Sequence, residues 1–308
     1  MSTFDDVLYS WLFVFNLPST FYTLLYGVYL VLFVTSMYIM THKKGAISRL
    51  QFTAIVALFV LATLGLILSC IYTNALIRMY VLEVPPHSED FVLEETSNTI
   101  LFGLYVLANI IADTILIHRC YKVWGAKGKI IVFPVFISII NNGLALVDFI
   151  TDLVQMAHAL KSINTVDDTM AKLMTFRKYT YKSFLAVNFF TNLFIPIMIA
   201  GRIWWIGHQV SKLLPSRKFN LTKHIAAVCL ESGVMYPLAL LPPLVLAFQP
   251  SEKPSSRVDL TPILIQVVGI APTFIIGNEQ RDQVLLSMWD ANHNTDEHVQ
   301  KSEERSIV

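Results

Sequence analysis

The stretch from residue 97 to 124 constrains this chain more than any other. From Thr99 to Ile117 it is apolar apart from small or amide residues and one acid, Asp113. It stops abruptly at His118-Arg119-Cys120-Tyr121-Lys122-Val123-Trp124. A helix crossing a bilayer needs about 20 mostly apolar residues, and this run has that length. Six further runs share the pattern, at about residues 21–40, 52–72, 130–153, 184–206, 225–248 and 260–276. The expected fold is therefore all-α, an integral membrane bundle of seven helices over residues 21–276. Residues 1–20 precede it as an outer, interfacial segment, punctuated by Pro18. Residues 277–308 form a tail in which 281–289 suit a short amphipathic helix on the inner surface, followed by a disordered polar end.

Composition agrees: 55% of the 308 residues are hydrophobic and 15% charged, against about 25% in soluble domains. Prolines fall inside several runs (Pro134, Pro196, Pro237, Pro242, Pro243 and Pro272), which membrane helices tolerate as kinks. No basic start precedes the first apolar run, where Asp5 and Asp6 stand instead, so a cleaved signal peptide is not expected. Cys70, Cys120 and Cys229 all lie in or beside apolar runs, so no disulfide framework is expected.

Loop charge sets the orientation. The loops after runs one, three and five hold 12 Lys and Arg, counting Arg202, and no acid. The other loops and the N-terminus hold 7, leaving Lys182 aside, with nearly all the loop acids. The N-terminus is thus expected outside and the C-terminus in the cytoplasm, with the plasma membrane as the location. Trp11, Trp124, Trp204, Trp205 and Trp289 all fall at run boundaries, as an interfacial aromatic belt requires. The sequon Asn220-Leu221-Thr222 falls in an inner loop and is expected to carry no sugar.

An ionisable residue inside a membrane helix is costly and marks a functional candidate. Asp113, Asp148, Asp152 and Glu231 qualify. At 1.5 Å per residue, Asp113 lies about 9 Å in from the inner boundary and Glu231 about 12 Å, with Arg202 about one turn inside. This depth arithmetic groups Asp113, Arg119, Arg202 and Glu231, with Asn109 and Asn278 as hydrogen-bond partners, into an inner polar cluster. Its charges would act as a breakable lock or as a static neutralising pair. A second set, Asp148, Asp152, Asn141, Asn142, Asn188 and Asn192, would line an outer-facing pocket. The commoner use of such asparagines is hydrogen bonding between helices, and the two aspartates lie close enough to the surface to be solvated.

No lysine lies in the seventh run, which excludes a retinal Schiff base. No His-Glu-x-x-His motif, phosphate-binding glycine loop or glycine-flanked serine elbow occurs, so no metal, cofactor or enzymatic activity is expected. The expected partners are the lipid bilayer, a small-molecule or peptide ligand, and a cytoplasmic signalling partner at the basic inner loops; nucleic acid is not one.

Four stretches resemble a large group of seven-helix membrane proteins from mushroom-forming (basidiomycete) fungi. They are Ala112-Asp113 through Trp124, Gly201-Arg202-Ile203-Trp204-Trp205, Glu231-Ser232-Gly233 with Tyr236-Pro237, and Gly269-Ile270-Ala271-Pro272-Thr273. The resemblance spans about residues 19–280 and implies an integral membrane protein, with no particular activity. The layout also resembles G-protein-coupled receptors, since Arg119 stands where the arginine of their Asp-Arg-Tyr motif lies. Here His118 precedes it and Cys120 follows, Pro272 is not part of an Asn-Pro-x-x-Tyr motif, and the usual outer cysteine bridge has no cysteines. The leading expectation is a receptor-like protein that senses an outside ligand through an inner polar switch. The rivals are a transporter or lipid translocator, and a non-signalling membrane scaffold.

Overall fold

The computed structural model describes residues 16–42, 49–80, 88–125, 128–161, 168–210, 216–248 and 259–278. They form seven α-helices and, among the described residues, no strand. We label them α1 (Leu17–His42), α2 (Arg49–Tyr80), α3 (Ser88–Val123), α4 (Gly128–Lys161), α5 (Asp168–Val210), α6 (Ser216–Phe248) and α7 (Thr261–Asn278). Successive helices run antiparallel. We call the end where α1, α3, α5 and α7 begin the near end, and the opposite one the far end.

Every expected apolar run lies inside a helix, but most of the helices outrun it. The segments expected as a long acidic loop and as a mixed-charge loop are instead largely helix: α2 continues to Tyr80, α3 already starts at Ser88, and α5 starts at Asp168. Lipid limits the apolar window, whereas backbone hydrogen bonding continues in water wherever no breaker intervenes. Acids in the first turns of α3 and Arg78 in the last turn of α2 suit the helix dipoles. Arg78 also lies 3.9 Å from Asp90, tying the two helices together at the near end. At the N-terminus, α1 begins at Leu17 rather than residue 21, because Pro18 sits in the first turn where its missing N–H costs nothing. The expected surface helix at 281–289 and the apolar stretch of residues 7–15 lie outside the described residues.

Six helices, all but α6, are long and apolar enough to cross a membrane. In α6 the described apolar part is Gly233–Phe248. The bundle is apolar outside and polar within. Val31, Ile139 and Phe190 are 64%, 64% and 66% exposed, whereas Asn109, Asn141 and Asn188 are wholly buried. That distribution is unfavourable in water and favourable in lipid, so the protein is membrane-embedded.

Helix α7 is the most enclosed element. Gln266 donates to the Ala62 carbonyl of α2 (3.0 Å), and Ser36 of α1 donates to the Thr273 carbonyl (3.5 Å). Gly269 admits Tyr29: a Cβ there would stand 2.6 Å from the phenol oxygen. Gly233 of α6 is likewise pressed against the Pro196 ring of α5, so those backbones meet where α5 lacks a backbone donor. At the far end Gly125, with φ of 62°, follows α3, and Trp124 and Gly125 donate back to the Cys120 and Lys122 carbonyls.

Candidate functional site

Buried polar side chains of α3, α4, α5 and α6 meet in one hydrogen-bonded network. Its hub is Asn188, four residues before Asn192 on α5, so the two share a face. The Asn188 amide donates to the hydroxyls of Tyr105 (2.9 Å) and Tyr236 (2.8 Å). Its oxygen accepts from Asn141 (3.1 Å) and Asn192 (2.7 Å). Both donors and both lone pairs are thus used.

From the hub the network runs to Asp113. The Tyr105 and Tyr236 hydroxyls are 2.9 Å apart, and Tyr236 donates to the Asn109 oxygen (3.0 Å). Asn109 donates to Asn142 (3.4 Å), and Asn142 donates to Asp113 Oδ2 (3.1 Å), as does Ser138 (2.9 Å). With Tyr105 donating to Tyr236, the donors all run one way and end on the carboxylate. The donors to Asp113 Oδ2, Ser138 and Asn142, are neutral.

Two members of the inner cluster expected from depth, Asp113 and Asn109, lie in this network. Asp113 and Asn109 join the asparagines Asn141, Asn142, Asn188 and Asn192 that were expected to line an outer pocket. Arg202 lies elsewhere, with its guanidinium 4.8 Å from the Trp124 ring and 4.5 Å from the Trp205 ring. Two ring faces give it cation–π stabilisation. Arg119 is buried. Asn278 is partly buried and is not among the partners of Asp113, and the Glu231 side chain lies outside the described residues. Depth alone ignores rotation. Six residues turn a helix by about 600°, which leaves Asp113 and Arg119 about 120° apart around α3.

The aspartates of α4 are buried rather than solvated. Asp148 is 1% and Asp152 0% exposed, so neither is solvated. Arg177 of α5 lies 2.6 Å from Asp152 and donates to Gln155 (3.0 Å), bracing one face of α4. Asp148, one turn deeper, has no hydrogen-bond partner on either oxygen. Sequence reading missed Arg177, because it lies between the apolar runs expected at 130–153 and 184–206. It also missed Tyr105 and Tyr236, whose hydroxyls look like ordinary membrane aromatics until the helices are paired. At the entry to α7, Asp259 accepts from the Thr261 amide (2.9 Å), capping the helix. Burial raises the Asp259 carboxyl above its ordinary pKa, and the bonds from Thr261 partly offset this.

Among the described residues no group of three His, Cys, Asp or Glu side chains is placed to hold a metal ion. Compared with protein-family models, curated proteins and solved structures, the chain matches none.

Proposed function

We propose that this chain is a receptor-like protein with seven membrane spans, its N-terminus outside and its C-terminus in the cytoplasm, in the plasma membrane. One observation carries the reading: a single buried network joins α3, α4, α5 and α6, beside the contact of Pro196 with Gly233. Three of the four helices contain prolines that weaken their own ladders. A network that ties such helices together has discrete alternative arrangements, as a switch requires. A ligand at the near end would bias it, and the basic far end, with Arg119 and Arg202, would report to a cytoplasmic partner.

A transporter is the second reading, favoured by one feature. Ser138, Asn142, Asn141, Asp148 and Asp152 form a polar file along α4 from Asp113 toward the near end. Such a file serves equally as a pathway. Purified protein in liposomes, assayed for solute and lipid flux and for nucleotide exchange on added G proteins, separates the two. The receptor reading expects exchange without flux, with exchange altered in Asp113→Asn. Flux that disappears in Asp113→Asn, with no exchange, overturns it.

A further inference from the structure

A proline inside a helix leaves the carbonyl four residues earlier without its N–H partner. Pro196 of α5 frees the Asn192 carbonyl, Pro237 of α6 the Gly233 carbonyl, and Pro272 of α7 the Val268 carbonyl. Asn192, Gly233 and Val268 all line one cavity of about 20 Å³ inside the bundle. Pro196 and Pro272 line it as well. A freed carbonyl lies beneath the ring of its own proline, so on α5 and α7 the face that carries it is turned to the cavity. Gly233 has no side chain and lines the cavity with backbone atoms alone.

Membrane helices re-satisfy such carbonyls through Ser or Thr hydroxyls, neighbouring helices or ordered water. Here the side-chain donors nearby are already committed. Of the residues lining the cavity, only Asn192 and Tyr236 carry one. The Asn192 amide donates to the Asn188 carbonyl (3.0 Å) and to its side-chain oxygen (2.7 Å), and Tyr236 donates to Asn109. On the same helices, Thr191 donates to the Val187 carbonyl and Thr273 to the Gly269 carbonyl, both at 2.8 Å. One water needs about 10–15 Å³ of such space, and the cavity has that room. No charged residue lines it, so a bare cation there would lack a counter-charge.

We propose that this cavity binds a single structural water, which donates one hydrogen to the Asn192 carbonyl and the other to the Val268 carbonyl. The water joins α5 to α7. Asn192 is a branch of the Asn188 hub, whereas the side-chain hydrogen bonds of α7 described above run to α1 and α2. The water is thus the link through which the network of α3, α4, α5 and α6 reaches α7. It also lets the proline-containing segments pivot, because a water changes partners at little cost. The site does not depend on the receptor reading.

The test uses the full-length protein in lipid nanodiscs and pulsed radiolysis of water, which labels buried side chains where a water stands beside them. Tyr236 and Tyr105 are matched probes: both are buried, their hydroxyls are 2.9 Å apart, and of the two only Tyr236 lines the cavity. Labelling at Tyr236 is expected to exceed that at Tyr105. Ala271→Val adds two methyl groups at the cavity wall and is expected to abolish the excess. If that variant does not fold, Ala112→Val fills the cavity from α3 instead. Gly143→Ala, whose new Cβ meets nothing within 4 Å, is expected to keep the excess. The proposal is overturned if Tyr236 and Tyr105 are labelled alike, or if a folded, filled variant keeps the excess. Thermal midpoints in sodium chloride and in choline chloride of equal ionic strength are expected to agree. A sodium-specific rise that the filled variant abolishes makes the occupant a cation and overturns the water. Nucleotide exchange enters none of these readouts, so failure of the receptor reading leaves the site standing, and a dry cavity leaves that reading untouched.

Discussion

Asn188 makes four side-chain hydrogen bonds to four residues on four helices, counting Asn192 on its own. Hydrogen bonds between membrane helices contribute on average about 0.6 kcal/mol each, so Asn188→Leu is expected to lose about 2 kcal/mol. Asn192→Leu, which removes donations to Asn188 alone, is expected to lose about 1 kcal/mol. Thermal unfolding of purified variants checks the order; equal losses would mean that the hub carries no more than its branches. This grouping was only partly legible beforehand. Four-residue spacing put Asn109 with Asp113 and Asn188 with Asn192, and those pairs do share one network, because local helix geometry is written in the sequence. Which helices face one another is not. Arg202 was grouped with Asp113 by depth, and its guanidinium lies against two tryptophans that sequence had assigned to the membrane boundary.

The helices were legible in their apolar lengths and illegible at their ends. A run of apolar residues reports where lipid is, and nothing in lipid tells the backbone to stop at Leu153 or to wait until residue 184 before starting again. That is why Arg177 and the start of α5 were hidden in a presumed loop. Packing between elements was also hidden, since a helix glycine has no signal until its neighbour is known. Gly269 and Gly143 look alike in sequence, yet a Cβ at 269 would stand 2.6 Å from Tyr29, whereas none at 143 would meet anything within 4 Å. Gly269→Ala is therefore expected to cost about 1–3 kcal/mol through overpacking of α1 against α7. Gly143→Ala is expected to be neutral or slightly stabilising, because alanine is the better helix former. A midpoint for Gly269→Ala equal to that of the unaltered protein would mean that α1 stands further from α7 than the structure places it.

For the molecule as a whole, the apolar exterior and polar interior require a bilayer but do not state which end faces the cytoplasm. That choice rests on Lys and Arg, which lie at the far end at Arg119, Lys122, Lys129 and Arg202 and in the sequence linking α5 to α6. The cation–π contacts of Arg202 bear on this, because they hold a charge at the far end beside two tryptophans, as an interfacial anchor would be held. Glycosylation reads the orientation directly, because acceptor sequons are modified only on the lumenal, later extracellular, side. In a eukaryotic host Asn220, in the first turns of α6 at the far end, is expected to stay unmodified, and a sequon appended before Met1 is expected to carry sugar. The readout is a shift in electrophoretic mobility removed by an endoglycosidase. Sugar at Asn220 with none on the appended sequon would invert the bundle. It would put the Arg177–Asp152 ion pair at the cytoplasmic end and the basic far end outside.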